Sequence, residues 1–124
     1  MADSSPVNAT TPSATPSALR DRHCQDLPKG SPALGHDEVQ YYLGQLDGWQ
    51  LTADGDKLSK TFKFEDFYKT MGFVNAVAHV ANSQNHHPDL DVSYGQCTVT
   101  FWTHTVGGLS ENDFICAAKI DAMG

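Results

Sequence analysis

The longest periodic segment of this 124-residue chain, from Glu65 to about Gln84, constrains the fold most because strand-like patterns lie on both sides of it. Apolar residues recur in it at helical spacing, which predicts a helix. Two apolar stripes are present, the first Phe67, Met71, Val74, Ala78 and Ala81, the second Phe73, Val77 and Val80. A helix that packs on one sheet needs a single stripe. We expect the first stripe to cover the sheet and the second to contact another subunit.

A β-hairpin is predicted on each side of this helix. Before it, apolar residues flank Asp54-Gly55-Asp56, and Asp-Gly is a favoured hairpin turn. After it, alternating runs flank the turn Gly95-Gln96, with Leu90, Val92 and Tyr94 in one and Cys97, Val99 and Phe101 in the other. The second run has Thr98, Thr100 and Trp102 at the alternate positions, so these point to the opposite face of the sheet.

Two shorter helices complete the predicted order. The first runs from Asp37, as N-cap, to about Leu46, and the last follows Ser110. Helix, hairpin, helix, hairpin, helix predicts an α+β domain with a four-stranded antiparallel sheet and three helices packed on one face.

The N-terminal arm, residues 1–35, carries little of this periodicity. Its first 18 residues are rich in Ser, Thr, Pro and Ala, which predicts disorder, and the rest is interrupted by Pro and Gly. We therefore expect the folded domain to span residues 36–124. His23 and Cys24 are adjacent in the arm and could bind a metal, but an incidental pair in a loop is the simpler interpretation.

Charge and cysteine usage exclude several classes of function. The net charge of −7 and the absence of a basic run argue against a nucleic-acid partner. No apolar run approaches the roughly 18 residues that span a bilayer, so no membrane partner is expected. The three cysteines, Cys24, Cys97 and Cys116, have no CxxC spacing, which favours reduced thiols in a cytoplasmic protein. Cys97 and Cys116 fall within apolar patterns and are expected in the core.

Three of the six histidines lie between residues 85 and 104, and they indicate proton-transfer chemistry. His86 and His87 directly precede Pro88, which favours an extended backbone and divergent rings. The hairpin turn places His104 across from them, and its position in the alternation points it away from the core face. The sequence therefore predicts three imidazoles at one end of the sheet.

Two other interpretations of these residues stay open. Three histidines could bind a metal, although the usual His-x-His or His-x₃-His spacing is absent. Asp113 lies three residues after Ser110 and could simply cap the last helix.

The combination of Asn85-His86-His87-Pro88, Tyr94, His104 and the run Gly107–Phe114 resembles the pterin-4a-carbinolamine dehydratase family, over about residues 37–124. The resemblance implies loss of water from 4a-hydroxytetrahydrobiopterin to give quinonoid dihydropterin. This reaction recycles the pterin of aromatic amino-acid hydroxylases, so such a hydroxylase is a possible partner. The resemblance further implies no cofactor, a homodimer or homotetramer, and, in animal members, a second role as dimerisation cofactor of a homeodomain activator.

On this interpretation His86 and His104 are the acid and base, and His87 holds and orients the pterin. The expected substrate-binding residues are His87, Asp113, Asn82 and Thr103, and no metal ligand is expected. Asn82 stands where many members carry a glutamate; an amide can orient the ring of His86 but cannot raise its pKa by charge. The alternatives are a binding module with little activity and a three-histidine metalloenzyme.

Overall fold

Three α-helices alternate with two pairs of β-strands along the residues that this computed structural model describes, 18–123. The elements are α1 His36–Leu43, β1 Gln50–Leu51, β2 Leu58–Lys63, α2 Phe67–Gln84, β3 Asp89–Ser93, β4 Gln96–Phe101 and α3 Glu111–Asp121. Short 3₁₀ turns occur at Leu19–Asp21 and His104–Val106. The predicted α+β class with a four-stranded antiparallel sheet is confirmed.

The sheet has the strand order β1-β2-β4-β3, and every neighbouring pair is antiparallel. Its core face carries Cys97, Val99 and Phe101, all fully buried, as their alternation predicts. The opposite face is polar because it carries hydroxyl side chains. The hydroxyls of Thr98 and Thr100 form hydrogen bonds with those of Thr61 and Ser59 across the β2–β4 pair.

Helix α2 presents to the core a different face from the one expected. Val77 is fully buried, whereas Phe67 is 49% exposed, so the expectation that the second stripe meets another subunit is wrong. The rotation is set by Phe73, whose ring lies 4.5 Å from that of Phe62 and packs on the sheet. It is also fixed by Thr70, whose hydroxyl donates to the Tyr94 carbonyl at 2.8 Å.

The helix ends are set by local caps, and α1 differs from its prediction. Its N-cap is Gly35, whose N–H donates to the Glu38 carboxylate at 3.2 Å, so Asp37 lies inside the first turn instead of capping it. The helix ends at Leu43, about one turn earlier than expected. Helix α2 is capped by Asp66, whose side chain accepts from the Lys69 N–H at 2.8 Å.

The described part of the N-terminal arm, residues 18–35, packs against α3. Leu19 lies in the hydrophobic core. The Gln25 N–H donates to the Asn112 side chain at 3.0 Å, and the Asn112 amide donates back to the Gln25 carbonyl at 2.8 Å. Most of the predicted disorder falls on residues 1–17, outside the described residues. We propose that the folded unit begins near residue 18 instead of residue 36.

Candidate active site

His86 is placed by the way α2 ends. Asn85 adopts the left-handed conformation, with φ of 52°, and the His86 N–H then donates to the Ala81 carbonyl at 3.1 Å. This turn directs the imidazole inward, where it lies nearly parallel to the Phe101 ring at a centroid distance of 5.8 Å. The side chain is 12% exposed, and its Nε2 lies 2.6 Å from Asp113 Oδ1.

Asp113 is fully buried in the first turn of α3, and its carboxylate has several donors. Its Oδ2 accepts from the Thr103 hydroxyl at 2.8 Å and from the Ser110 N–H at 2.9 Å, while its Oδ1 faces His86. The carboxylate therefore caps the helix and holds His86 at the same time. A carboxylate in this arrangement fixes both the position and the tautomer of an imidazole.

The pKa of His86 depends on the charge of Asp113. Burial lowers the pKa of His86, but the hydrogen bond and the negative charge of Asp113, with a smaller contribution from Cys24, outweigh burial and raise the pKa above its ordinary value. The ring therefore carries a proton more readily near neutral pH than a free histidine does. With Nε2 held by Asp113, Nδ1 is the nitrogen left to exchange a proton with a ligand.

The second histidine of the pair belongs to a separate contact. His87 is exposed, and its Nε2 lies 3.1 Å from Asn82 Oδ1, one turn back on α2. The expected link between Asn82 and His86 is therefore wrong: position 82 contacts the second ring, and the first obtains its carboxylate from α3.

His104 lies beyond the end of β4, on the 3₁₀ turn, and is exposed. Its ring centroid is 3.8 Å from that of Trp102, so the two rings share a side of the chain, as their alternation predicts. Between them in sequence, Thr103 is buried and bonded to Asp113. The structure thus brings His86, Asp113 and Thr103 together in one buried cluster. His104, the residue that follows Thr103, lies at the surface.

A cleft of about 250 Å³ opens beside His86. Its lining consists of Gln25, Asp26, Leu27, Asn85, His86, Thr103, Thr105 and Asn112. Among the described residues, the lining includes His86 and Thr103 from the predicted set but neither His87 nor His104. Sequence reasoning missed the contribution of the arm, because Gln25, Asp26 and Leu27 belong to no periodic pattern and lie far in sequence from the histidines at 86, 87 and 104.

Within residues 18–123, no group of three or more His, Cys, Asp or Glu side chains is arranged to hold a metal ion. None of the helices in this part of the chain is both long and apolar enough to cross a membrane.

A histidine–carboxylate pair beside an open cleft is an arrangement that can exchange protons with a small molecule. Comparison with known proteins identifies the family to which the chain belongs. The family model for pterin 4 alpha carbinolamine dehydratase matches residues 32–123. This chain belongs to that family, whose members are hydro-lyases.

Relatives from several bacteria agree with this assignment. A candidate pterin-4-alpha-carbinolamine dehydratase of Nitrosomonas eutropha is 53% identical over 106 residues, covering 85% of this chain and 92% of the relative. One from Xylella fastidiosa is 47% identical over 105 residues, covering 85% of this chain and 90% of the relative. A crystal structure from Brucella melitensis, titled a transcriptional coactivator/pterin dehydratase, is 34% identical with a TM-score of 0.70, over 73% of this chain and 97% of that one.

Proposed function

We propose that this protein dehydrates 4a-hydroxytetrahydrobiopterin to quinonoid dihydropterin, with His86 and His104 as the proton-transfer groups. The observation that carries the proposal is the His86–Asp113 pair beside the cleft. The raised pKa of His86 suits it to the role of the acid. His104 is exposed and directly follows Thr103 of the buried cluster in sequence, and we assign it the role of the base.

The reaction needs one proton delivered and one removed. Protonated His86 gives a proton to the 4a-hydroxyl, the C–O bond breaks and water leaves. His104 takes the proton of the neighbouring ring nitrogen, and the electron pair of that N–H bond forms the new C=N bond. Each positioned acid or base typically contributes about 10²–10⁴-fold to the rate.

His87 and Asn82 have a different role in this proposal. Their contact at 3.1 Å orients an exposed imidazole that can hold the pterin without exchanging protons with it. Asp113 supports the site from the buried side by holding His86, and Thr103 holds Asp113 in turn by donating to its carboxylate.

His87→Ala is expected to raise KM about tenfold with little change in kcat, because removing a contact made equally to substrate and transition state weakens binding alone. Steady-state kinetics measures both constants. Loss of kcat at an unchanged KM would instead give His87 the proton-transfer role.

A direct dehydratase assay with and without EDTA tests the proposed function and separates it from its alternatives. Turnover that EDTA does not affect is expected. Turnover lost on chelation, together with one tightly bound metal per chain, would indicate the three-histidine metalloenzyme. A folded protein with no turnover would indicate a binding module.

The pathway, location and assembly belong to the same proposal. We propose that the reaction recycles the pterin of an aromatic amino-acid hydroxylase in the cytoplasm, and that the protein is a homodimer or homotetramer. Support for self-association comes from β3, an edge strand whose five residues are all exposed. Leu90 and Val92 on it are 36% and 37% exposed, which leaves apolar surface next to unpaired backbone groups.

Val92→Lys is expected to shift the protein toward monomer, because a charge at an edge strand opposes strand pairing and apolar contact. Sedimentation over a range of concentrations measures the mass. Tyr41→Lys, at an exposed tyrosine on α1, is the matched control and should leave the mass unchanged. A wild-type protein that is monomeric at every concentration would contradict self-association. Val77 is unsuitable for this test because it lies in the core.

A further inference from the structure

Two cysteines distant in sequence meet where the arm packs on α3. The Sγ atoms of Cys24 and Cys116 are 3.5 Å apart, although 92 positions separate them in the chain. Cys24 is half-buried in the irregular arm, and Cys116 is fully buried on α3, one turn after Asp113. A disulfide has an S–S bond of about 2.0 Å, so the two sulfurs would have to approach by only about 1.5 Å.

The two sulfurs differ in reactivity in a way that suits this bond. The hydrogen bond from Cys116 lowers the pKa of Cys24 against the opposing effect of burial, and the charge of His86 lowers it further. The hydrogen bond to Cys24 and burial both raise the pKa of Cys116. Cys24 is therefore the thiol that ionises more readily and is reached from solvent, and Cys116 is the neighbouring thiol that can resolve the product.

We propose that Cys24 and Cys116 form a reversible disulfide that locks the arm against α3 beside the cleft. With a peroxide as oxidant, the Cys24 thiolate attacks one oxygen, an S–O bond forms as the O–O bond breaks, hydroxide leaves the peroxide, and Cys24 becomes a sulfenic acid. The sulfur of Cys116 then attacks Cys24, the S–S bond forms, the S–O bond breaks, and hydroxide leaves with the proton of Cys116 as water. Two thiols lose two electrons, and one peroxide molecule becomes two molecules of water.

The lock would act on the wall of the cleft. Gln25, Asp26 and Leu27 directly follow Cys24 and line the cleft with His86. Non-covalent contacts hold this segment in the reduced protein, among them the Cys24 N–H bonded to Gln84 at 2.9 Å and the Gln25–Asn112 pair. The disulfide would keep the wall in place under conditions that break these contacts. Formation of the disulfide does not depend on which substrate the cleft takes.

The test starts from the full-length reduced protein, treated with a small excess of hydrogen peroxide, alkylated and digested with trypsin and chymotrypsin. Mass spectrometry should find residues 23–29 joined to residues 115–119, and dithiothreitol should release them. Cys97 should be recovered alkylated, because it is buried in β4 and takes no part in the contact between Cys24 and Cys116. The matched variants Cys24→Ser and Cys116→Ala should give no joined peptide, whereas Cys97→Ala should still give it.

A second measurement detects the disulfide in the wild-type protein, without any variant. Limited trypsin digestion of the oxidised wild type should leave the cut arm attached to the domain on a non-reducing gel, and reduction should release it. The oxidised protein should also melt at least about 5 °C higher than the reduced protein, because the bond closes a long loop of the unfolded chain. Oxidation of Cys24 that stops at sulfinic acid, or a bond that involves Cys97, would overturn the proposal.

Discussion

Turnover of the carbinolamine is expected to fall by about 10²–10⁴-fold when His86 is replaced with glutamine, because the substitution removes a positioned proton donor. Glutamine is preferred to alanine, since its amide can still donate to the buried Asp113 carboxylate and leaves no uncompensated charge in the core. Single-turnover kinetics on the pterin measures the effect, and circular dichroism checks that the fold survives.

Two other histidines complete the experiment. His104→Ala should lower turnover to a similar degree if it is the base. His79→Ala is the matched control: His79 is exposed on α2, and turnover should stay at the wild-type level. Near-wild-type rates for both His86→Gln and His104→Ala would disprove the acid–base assignment.

Asp113→Asn should separate the role of the carboxylate from that of the ring it holds. The negative charge of Asp113 raises the pKa of His86 against burial, so removing the charge should let the pKa fall below its ordinary value. A general acid must be protonated, so the basic limb of the kcat profile should move to lower pH, with turnover at neutral pH down about 10–100-fold. A variant that merely loosened the fold would lower turnover without moving this limb.

The same substitution predicts a change in the pH dependence of stability. The pKa of His86 is higher in the folded protein than in the unfolded chain, so the pair contributes its full stability below the unfolded pKa of about 6.5. That contribution is lost as the pH rises through the folded pKa. Urea unfolding should show Asp113→Asn to be less stable by about 3 kcal/mol at pH 5.5 and by less at pH 9. Equal losses at both pH values would exclude a charge-dependent contribution.

The sequence could predict those features of the fold that depend on a local periodicity of apolar residues. The alternation in β4 correctly placed Cys97, Val99 and Phe101 in the core, because a strand that buries one face has a single admissible register. The rotation of α2 could not be predicted in this way. Both of its stripes are apolar, and the choice between them depended on contacts of Phe73 and Thr70 with distant residues.

The candidate site could likewise be predicted only in part from local sequence patterns. The histidines could be found from sequence because three of them cluster around one hairpin. Their partners could not be assigned with the same certainty. Asp113 satisfies a capping pattern whether or not it contacts His86, and nothing in the pattern of Asn82 distinguishes His87 from His86 as its partner. The arm carries no periodic signal, so its place at the cleft depends on tertiary contacts alone.

The left-handed Asn85 restricts how position 85 can change over evolutionary time. A single backbone torsion at this residue aims the imidazole that follows it at Asp113. Asparagine and glycine enter this region readily, whereas β-branched side chains are strongly disfavoured there. A mutation at position 85 would therefore act on the chemistry without touching a reacting group. Few residue types other than asparagine and glycine are therefore expected at position 85. In a divergent relative that has lost turnover, the cause can be looked for first at this residue.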